Sequence, residues 1–324
     1  MTHSIRIQRT GGPEVLAWEP VEVGPPDVGQ VRLRHTAIGL NFIDVYHRAG
    51  LYPQPLPFTP GVEGVGIVQA VGPGVATLRP GDRVGYAAES SGGYSEERLI
   101  PAARLLKLPD SIADQQAAGV LLRGMTVEFL IRRAYPVKAG EWVLLHAAAG
   151  GVGSIAVQWL KASGAMVIGT AGSAEKCALV KSLGADHSLN YRSEDWVARV
   201  RELTGGAGVH VVYDGVGKDT CVPSMDCLRP RGHLITFGNA SGAVPPIAPL
   251  TLTAKGSLHL SRPTLHHYIA TRDELEASAA ALFDAIRRGH IKTTSGHSWP
   301  LREAASAHRE LEARRTTGPI VLIP

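Results

Sequence analysis

The chain has 324 residues, 44% of them hydrophobic and 19% charged, a balance that excludes disorder and fits about two soluble domains large enough to enclose a cleft. The formal net charge is +4, but the 33 basic residues are scattered in short pairs such as Arg132-Arg133 and Arg287-Arg288, so a nucleic-acid partner is not expected. Three cysteines without CxxC spacing, an N-terminus without the apolar core of a signal peptide and no apolar run of membrane length lead us to expect a cytoplasmic protein with reduced thiols.

Alternation from Gln30 to Ile38 predicts a strand. Four prolines between Pro53 and Pro60 punctuate a loop, and Gly-Val-Glu-Gly-Val-Gly at 61–66 leads into a second strand, so the first third reads as β-rich. Helical pattern begins at Ala113. After Gly140, strands and helices alternate at the spacing of βαβ units, with strands expected near 142–147, 165–170, 186–190, 209–214, 233–238 and 257–261. Six such strands make an open parallel sheet with right-handed crossovers. Among the intervening helices, Ser193 to Leu203 is expected to start on Ser193 as N-cap. Helices over Arg272–Arg288 and Leu301–Arg314 precede the terminal Pro-Ile-Val-Leu-Ile-Pro.

The most informative stretch is Gly140 to Ser154: a buried strand, a turn of glycines and the start of a helix. Gly150, Gly151 and Gly153 lack Cβ, so with Val152 they let the backbone turn sharply and bring amide N–H groups onto a phosphate at the positive end of the helix. Ala148 stands where the usual fingerprint has its first glycine. A glycine-rich turn before an ordinary helix is the competing interpretation, which the strand and helix on either side disfavour.

Further stretches form a recognisable set: Gly-Gly-Pro-Glu-Val-Leu at 11–16, Ile-Gly-Leu-Asn-Phe-Ile-Asp-Val-Tyr at 38–46, Gly-Leu-Tyr-Pro at 50–53, His-Ala-Ala-Ala-Gly-Gly-Val-Gly at 146–153, Val-Val-Tyr-Asp at 211–214, Phe-Gly-Asn at 237–239 and Ser-Arg-Pro at 261–263. With these, the chain resembles the medium-chain dehydrogenase/reductase superfamily over essentially its whole length. Within it, the chain is similar to zinc-independent NADPH:quinone oxidoreductases related to zeta-crystallin. The resemblance implies an α/β fold: a GroES-like β-rich catalytic domain from 1–123 and 266–324, and a Rossmann doubly wound parallel sheet over 124–265. It also implies a homodimer, joined along the strand at 256–262.

Zinc alcohol dehydrogenases of this superfamily carry metal ligands at the positions of Asn41, Val62 and Leu122. Valine and leucine have no donor atom and an asparagine amide is a poor zinc ligand, so no metal site is expected. Chemistry then reduces to hydride transfer from a nicotinamide to an acceptor that is already electrophilic, such as a quinone or a conjugated enone. The phenolate formed can be met by a neutral hydrogen-bond donor. The resemblance places Asn41, Tyr46 and Tyr52 near that event, although an N-cap role for Asn41 and packing roles for the tyrosines are open alternatives. It implies cofactor contacts at Thr126, Phe237, Asn239, Arg262 and Arg314, with Asn41 serving both sites.

Cofactor choice is legible after the second nucleotide strand. An NAD enzyme needs a carboxylate there for the ribose 2′-OH, and Ile168-Gly-Thr-Ala-Gly-Ser-Ala-Glu-Lys176 has none at the strand end. Ser173 and Lys176 suit a 2′-phosphate, and Tyr191 matches the family residue beside it, so NADPH is the expected cofactor. A quinone is the leading acceptor. Reduction of activated alkenes, enals or enoyl thioesters is the alternative, and a structural or RNA-binding role, as in some zeta-crystallins, is the alternative of another class.

Overall fold

The computed structural model describes residues 1–89, 91–293, 296–313 and 315–324. Met1–Met125, Ile269–Phe283 and Thr293–Pro324 form one compact unit, and Thr126–Tyr268 with Asp284–Lys292 the other.

The first unit opens with an antiparallel pair, β1 (Thr2–Arg6) and β2 (Ala17–Val21). In β3 (Gln30–Leu40), Val31, Leu33 and Ala37 turn into the core while Arg32 and Arg34 face outward, the period of two of a half-covered strand. Its last residues, Ile38 to Leu40, are buried on both faces and deliver the chain to α1 (Phe42–Ala49). Strands β4 (Gly64–Val71), β5 (Arg83–Tyr86), β6 (Glu97–Pro101) and β7 (Leu106–Lys107) follow, then α2 (Asp114–Phe129).

The nucleotide unit alternates β8 (Trp142–Leu145), α3 (Gly151–Ala162), β9 (Met166–Ala171), α4 (Ala174–Ser182), β10 (His187–Asn190), α5 (Trp196–Leu203), β11 (Val209–Asp214), α6 (Cys221–Ser224), β12 (Leu228–Thr236), α7 (Pro249–Ala254), β13 (His259–Ser261) and α8 (Leu265–Tyr268). Its six strands are all parallel in the order β10-β9-β8-β11-β12-β13. This is a doubly wound sheet whose order reverses beside β8. Leu144, Ile168, Leu189, Val212 and Leu234 fill the core on one side of it, each worth roughly 1.5–3 kcal/mol of transfer free energy when fully buried.

The chain then runs through α9 (Arg272–Arg287), β14 (His297–Pro300), α10 (Ala304–Glu312) and β15 (Ile320–Ile323). Strand β15 closes the seven-stranded sheet of the first unit against β3, in the order β14-β15-β3-β4-β5-β7 with β6 also on β3.

Several expectations are corrected. Helix α5 starts at Trp196 with Asp195, not Ser193, as its cap: the Asp195 carboxylate accepts from the Ala198 N–H at 3.1 Å, while Glu194 reaches back to the Asn190 N–H at 2.6 Å and closes the preceding turn. Strand β12 begins at Leu228 rather than near 233, because the Pro230-Arg231 breaker is absorbed as a register shift against β11. Strand β13 is limited to His259–Ser261, since the Leu258 N–H is bonded to the Leu252 carbonyl at 3.0 Å and its side chain is in the core. The final helix starts at Ala304 after a 3-10 turn over Leu301–Glu303. Residues 284–292 belong with the nucleotide unit rather than the catalytic one, where the Lys292 N–H donates to the Gln158 side chain at 2.9 Å. No helix among the described residues is long and apolar enough to cross a membrane.

Candidate active site

In the first unit, a set of buried polar groups surrounds the start of α1. Asn41 occupies its N-cap position, with its backbone N–H on the Asp44 carboxylate at 2.8 Å. The Asn41 side-chain amide donates to Glu63 Oε2 at 2.7 Å, and Glu63 Oε1 accepts from the Leu122 N–H at 2.7 Å. Gly39 makes room for this: a Cβ there would stand 2.1 Å from Glu63 Oε2. Arg123 on α2 donates to the carbonyls of Gly119 (2.9 Å) and Leu40 (2.6 Å) and supplies the positive field that opposes protonation of Glu63. Burial nevertheless pushes both Glu63 and Asp44 up to about 7.

A chain of hydrogen bonds leads outward from Asp44. The Tyr94 hydroxyl donates to it at 3.0 Å and lies 3.1 Å from His308 Nε2, and Arg48 Nη1 lies 2.9 Å from His308 Nδ1. Arg48 has only donors, so Nδ1 accepts and Nε2 carries the proton toward Tyr94. Burial pushes His308 down to about 3, so it is neutral. Arg48 then pairs with Glu312 through two bonds of 2.9 and 2.8 Å. Tyr46 and Tyr52 are half-buried with rings 5.2 Å apart edge to face, tied by a Tyr52 N–H to Tyr46 carbonyl bond of 3.1 Å. Asn41, Tyr46 and Tyr52 are thus gathered on α1 and the loop after it.

In the nucleotide unit, the expected cofactor residues fall at the carboxyl ends of the parallel strands. After β8, α3 starts on Gly150, and a Cβ on Gly153 would stand 2.3 Å from the Ala147 carbonyl oxygen. Gly151 and Val152 are the first residues of α3, so their N–H groups lie at its positive end. After β9, Ser173 caps α4 by accepting from the Lys176 N–H at 3.3 Å. After β10, the Tyr191 hydroxyl lies where a Cβ on Gly172 would approach within 2.5 Å. After β11 and β12, Gly215 packs under the Phe237 ring and Gly238 against the Gly215 carbonyl, with Asn239 next in the loop. After β13, Arg262 bonds to Thr236 Oγ1 (3.3 Å) and the Gly238 carbonyl (3.2 Å). Thr126 is half-buried on α2, and Arg314 lies outside the described residues.

Residues 27–110 match the family described as Alcohol dehydrogenase GroES-like domain, and residues 151–283 the one described as Zinc-binding dehydrogenase. A quinone oxidoreductase of Pseudomonas aeruginosa is 48% identical over 325 residues, spanning 100% of both chains. The chain belongs to the quinone oxidoreductase family of the medium-chain dehydrogenases/reductases. A 2-haloacrylate reductase of Burkholderia sp is 47% identical over 326 residues, 98% of each chain. The crystal structure of the Escherichia coli quinone oxidoreductase complexed with NADPH is similar with a TM-score of 0.97 at 46% identity, covering 99% of this chain and 100% of that one.

Membership in this family of oxidoreductases gives the buried cluster its context. Glu63 and Asp44 sit beside the positions where zinc-dependent relatives carry ligands, yet Val62 and Leu122 offer no donor and the Asn41 amide nitrogen is itself a donor to Glu63. Sequence reasoning passed over Glu63, Arg123, Tyr94 and His308 as functional residues. The available signal was a single charge inside an apolar run, Glu63 in Gly-Val-Glu-Gly-Val-Gly and Arg123 in Val-Leu-Leu-Arg-Gly-Met, since charged residues are almost never fully buried without a partner.

Proposed function

We propose that this oxidoreductase uses NADPH to reduce quinones by a metal-independent hydride transfer. The observation that carries this reading is the Asn41 carboxamide: anchored by Glu63, it offers a neutral N–H donor where zinc enzymes carry a ligand. A neutral donor suits the phenolate charge that develops on a quinone oxygen and is a weaker partner for an unactivated ketone. Bound NADPH supplies the hydride. The chain's own part is to cradle the pyrophosphate at Gly150 to Gly153, where Gly153 has no space for a side chain. It also accepts a 2′-phosphate at the acid-free end of β9, with Ser173, Lys176 and Tyr191 around it. The NADPH complex of the Escherichia coli relative supports this choice.

Reduction of an activated alkene is the second reading, favoured by the 47% identity to a 2-haloacrylate reductase. It uses the same donor, which would then meet the charge of an enolate. We further infer a homodimer in which the edge strand β13 pairs with a second copy.

The test is NADPH oxidation with a quinone after exhaustive chelation. Turnover should survive and should favour NADPH over NADH. Activity that disappears with the chelator and returns with zinc would contradict the proposal.

A further inference from the structure

The two carboxyls beneath Asn41, Glu63 and Asp44, are fully buried and face one guanidinium, that of Arg123. Their hydrogen bonds differ. Each Glu63 oxygen accepts one: Oε2 from Asn41 Nδ2 and Oε1 from the Leu122 N–H, both at 2.7 Å. In Asp44 both donors, the Asn41 N–H and the Tyr94 hydroxyl, go to Oδ2, and Oδ1 is buried with no partner. A charged carboxylate oxygen in a dry site without a donor is costly, and an O–H in its place costs less.

We propose that the pair holds a single proton on Asp44 Oδ1 and that Glu63, left ionised, is the positioning residue that fixes the Asn41 carboxamide. One amide N–H is committed to Glu63, which sets the direction of the other. The surrounding groups agree with this assignment. On α1, Arg48 is balanced by Glu312 and His47 is kept neutral by burial. On α10, His308 is kept neutral by burial, with Arg48 at its Nδ1 acting in the same direction. Tyr94 stays neutral and donates a hydrogen bond to Asp44, and Tyr86, whose hydroxyl is pushed up by burial, adds no charge. With Arg123 matched by Glu63, a neutral Asp44 leaves these groups balanced; Arg98 lies farther out, over the Tyr86 ring at 5.1 Å from its centroid. Burial raises both carboxyls to about 7; between the two, the hydrogen bonds put the proton on Asp44, whose Oδ1 lacks the donor that each Glu63 oxygen has.

Difference infrared spectroscopy on the full chain without ligand tests the assignment. A protonated-carboxyl band should be present in mildly acidic solution and should titrate away as pH rises through neutrality. Asp44→Asn should abolish it. Glu63→Gln should move its loss to lower pH, because Asp44 becomes the carboxyl that balances Arg123. Tyr94→Phe, which keeps the ring and covers the case of an unfolded Asp44 variant, should move the loss to higher pH by removing a donor to the ionised form. A band that survives Asp44→Asn, a Tyr94→Phe shift in the opposite direction, or no band at all overturns the proposal.

The role of Glu63 is read in turnover: Glu63→Gln should lower kcat and leave KM for NADPH unchanged. An unaltered kcat overturns it. Only this arm rests on the reading of Asn41 as the donor to substrate, so absence of quinone turnover in the unaltered chain would sink that reading while the infrared result stands.

Discussion

Lys176 lies in the first turn of α4, directly after the Ser173 cap and on the side of the sheet where β9 ends without an acid. If a 2′-phosphate sits there, Lys176→Ala removes one charge-assisted contact worth roughly 1.5–3 kcal/mol, so NADPH affinity should fall about tenfold or more. NADH affinity should hold. Equal loss for both cofactors, measured by fluorescence titration, would place Lys176 outside the phosphate site. Gly153 makes a sharper case. A side chain there meets the Ala147 carbonyl oxygen at 2.3 Å and the Ala148 Cα at 2.7 Å, both backbone atoms that cannot swing away. Gly153→Val should therefore cost about 1–3 kcal/mol of stability and abolish measurable NADPH binding. Wild-type affinity in that variant would show that the turn does not hold the pyrophosphate. At this scale the sequence was legible where absence carried the message: no Cβ, no acid, no metal donor. It was opaque for Glu63 and Arg123, whose partners lie 22 and 83 residues away in the chain.

Among the elements, the turn from β8 into α3 is braced from below by His146. Its imidazole is buried between Thr170 Oγ1 and Ser224 Oγ, each 2.9 Å away. Ser224 donates to the Thr220 carbonyl at 2.6 Å, so it accepts from His146 Nε2–H, and Thr170 donates to Nδ1. Burial pushes His146 down from 6.5 to about 4, opposed by the charge of Asp214. Between those values the unfolded chain binds a proton that the folded chain does not, so this group's contribution is intact above about 6.5 and is lost as pH falls toward 4. His146→Gln keeps a donor and an acceptor but cannot titrate. Its denaturant stability should vary less steeply over that acidic window, and an unchanged slope would rule out His146 as a source of the dependence. The parallel strands were legible because β-branched runs recur at βαβ spacing. The start of α5 was not, because Ser193 and Asp195 are both good caps and only the tertiary turn at Asn190 decides between them. The start of β12 was hidden by a proline absorbed as an irregularity.

For the whole molecule, the edge of β13 that pairs with no other strand among the described residues is the feature with the clearest consequence. Leu260 is 36% exposed there, on a strand of three residues whose other edge is paired with β12. Sedimentation at micromolar protein should give a dimer, and Leu260→Glu, which brings like charges together across a two-fold axis, should shift it toward monomer. A monomeric unaltered chain would remove strand pairing as the mode of assembly. The family relationships leave quinones and haloacrylates side by side. The most direct measurement is therefore kcat/KM for a benzoquinone and for 2-chloroacrylate on one preparation, with NADPH as donor and chelator present. The proposed quinone reading predicts the higher value for the quinone, and a higher value for the haloacrylate would contradict it in favour of the alkene reading.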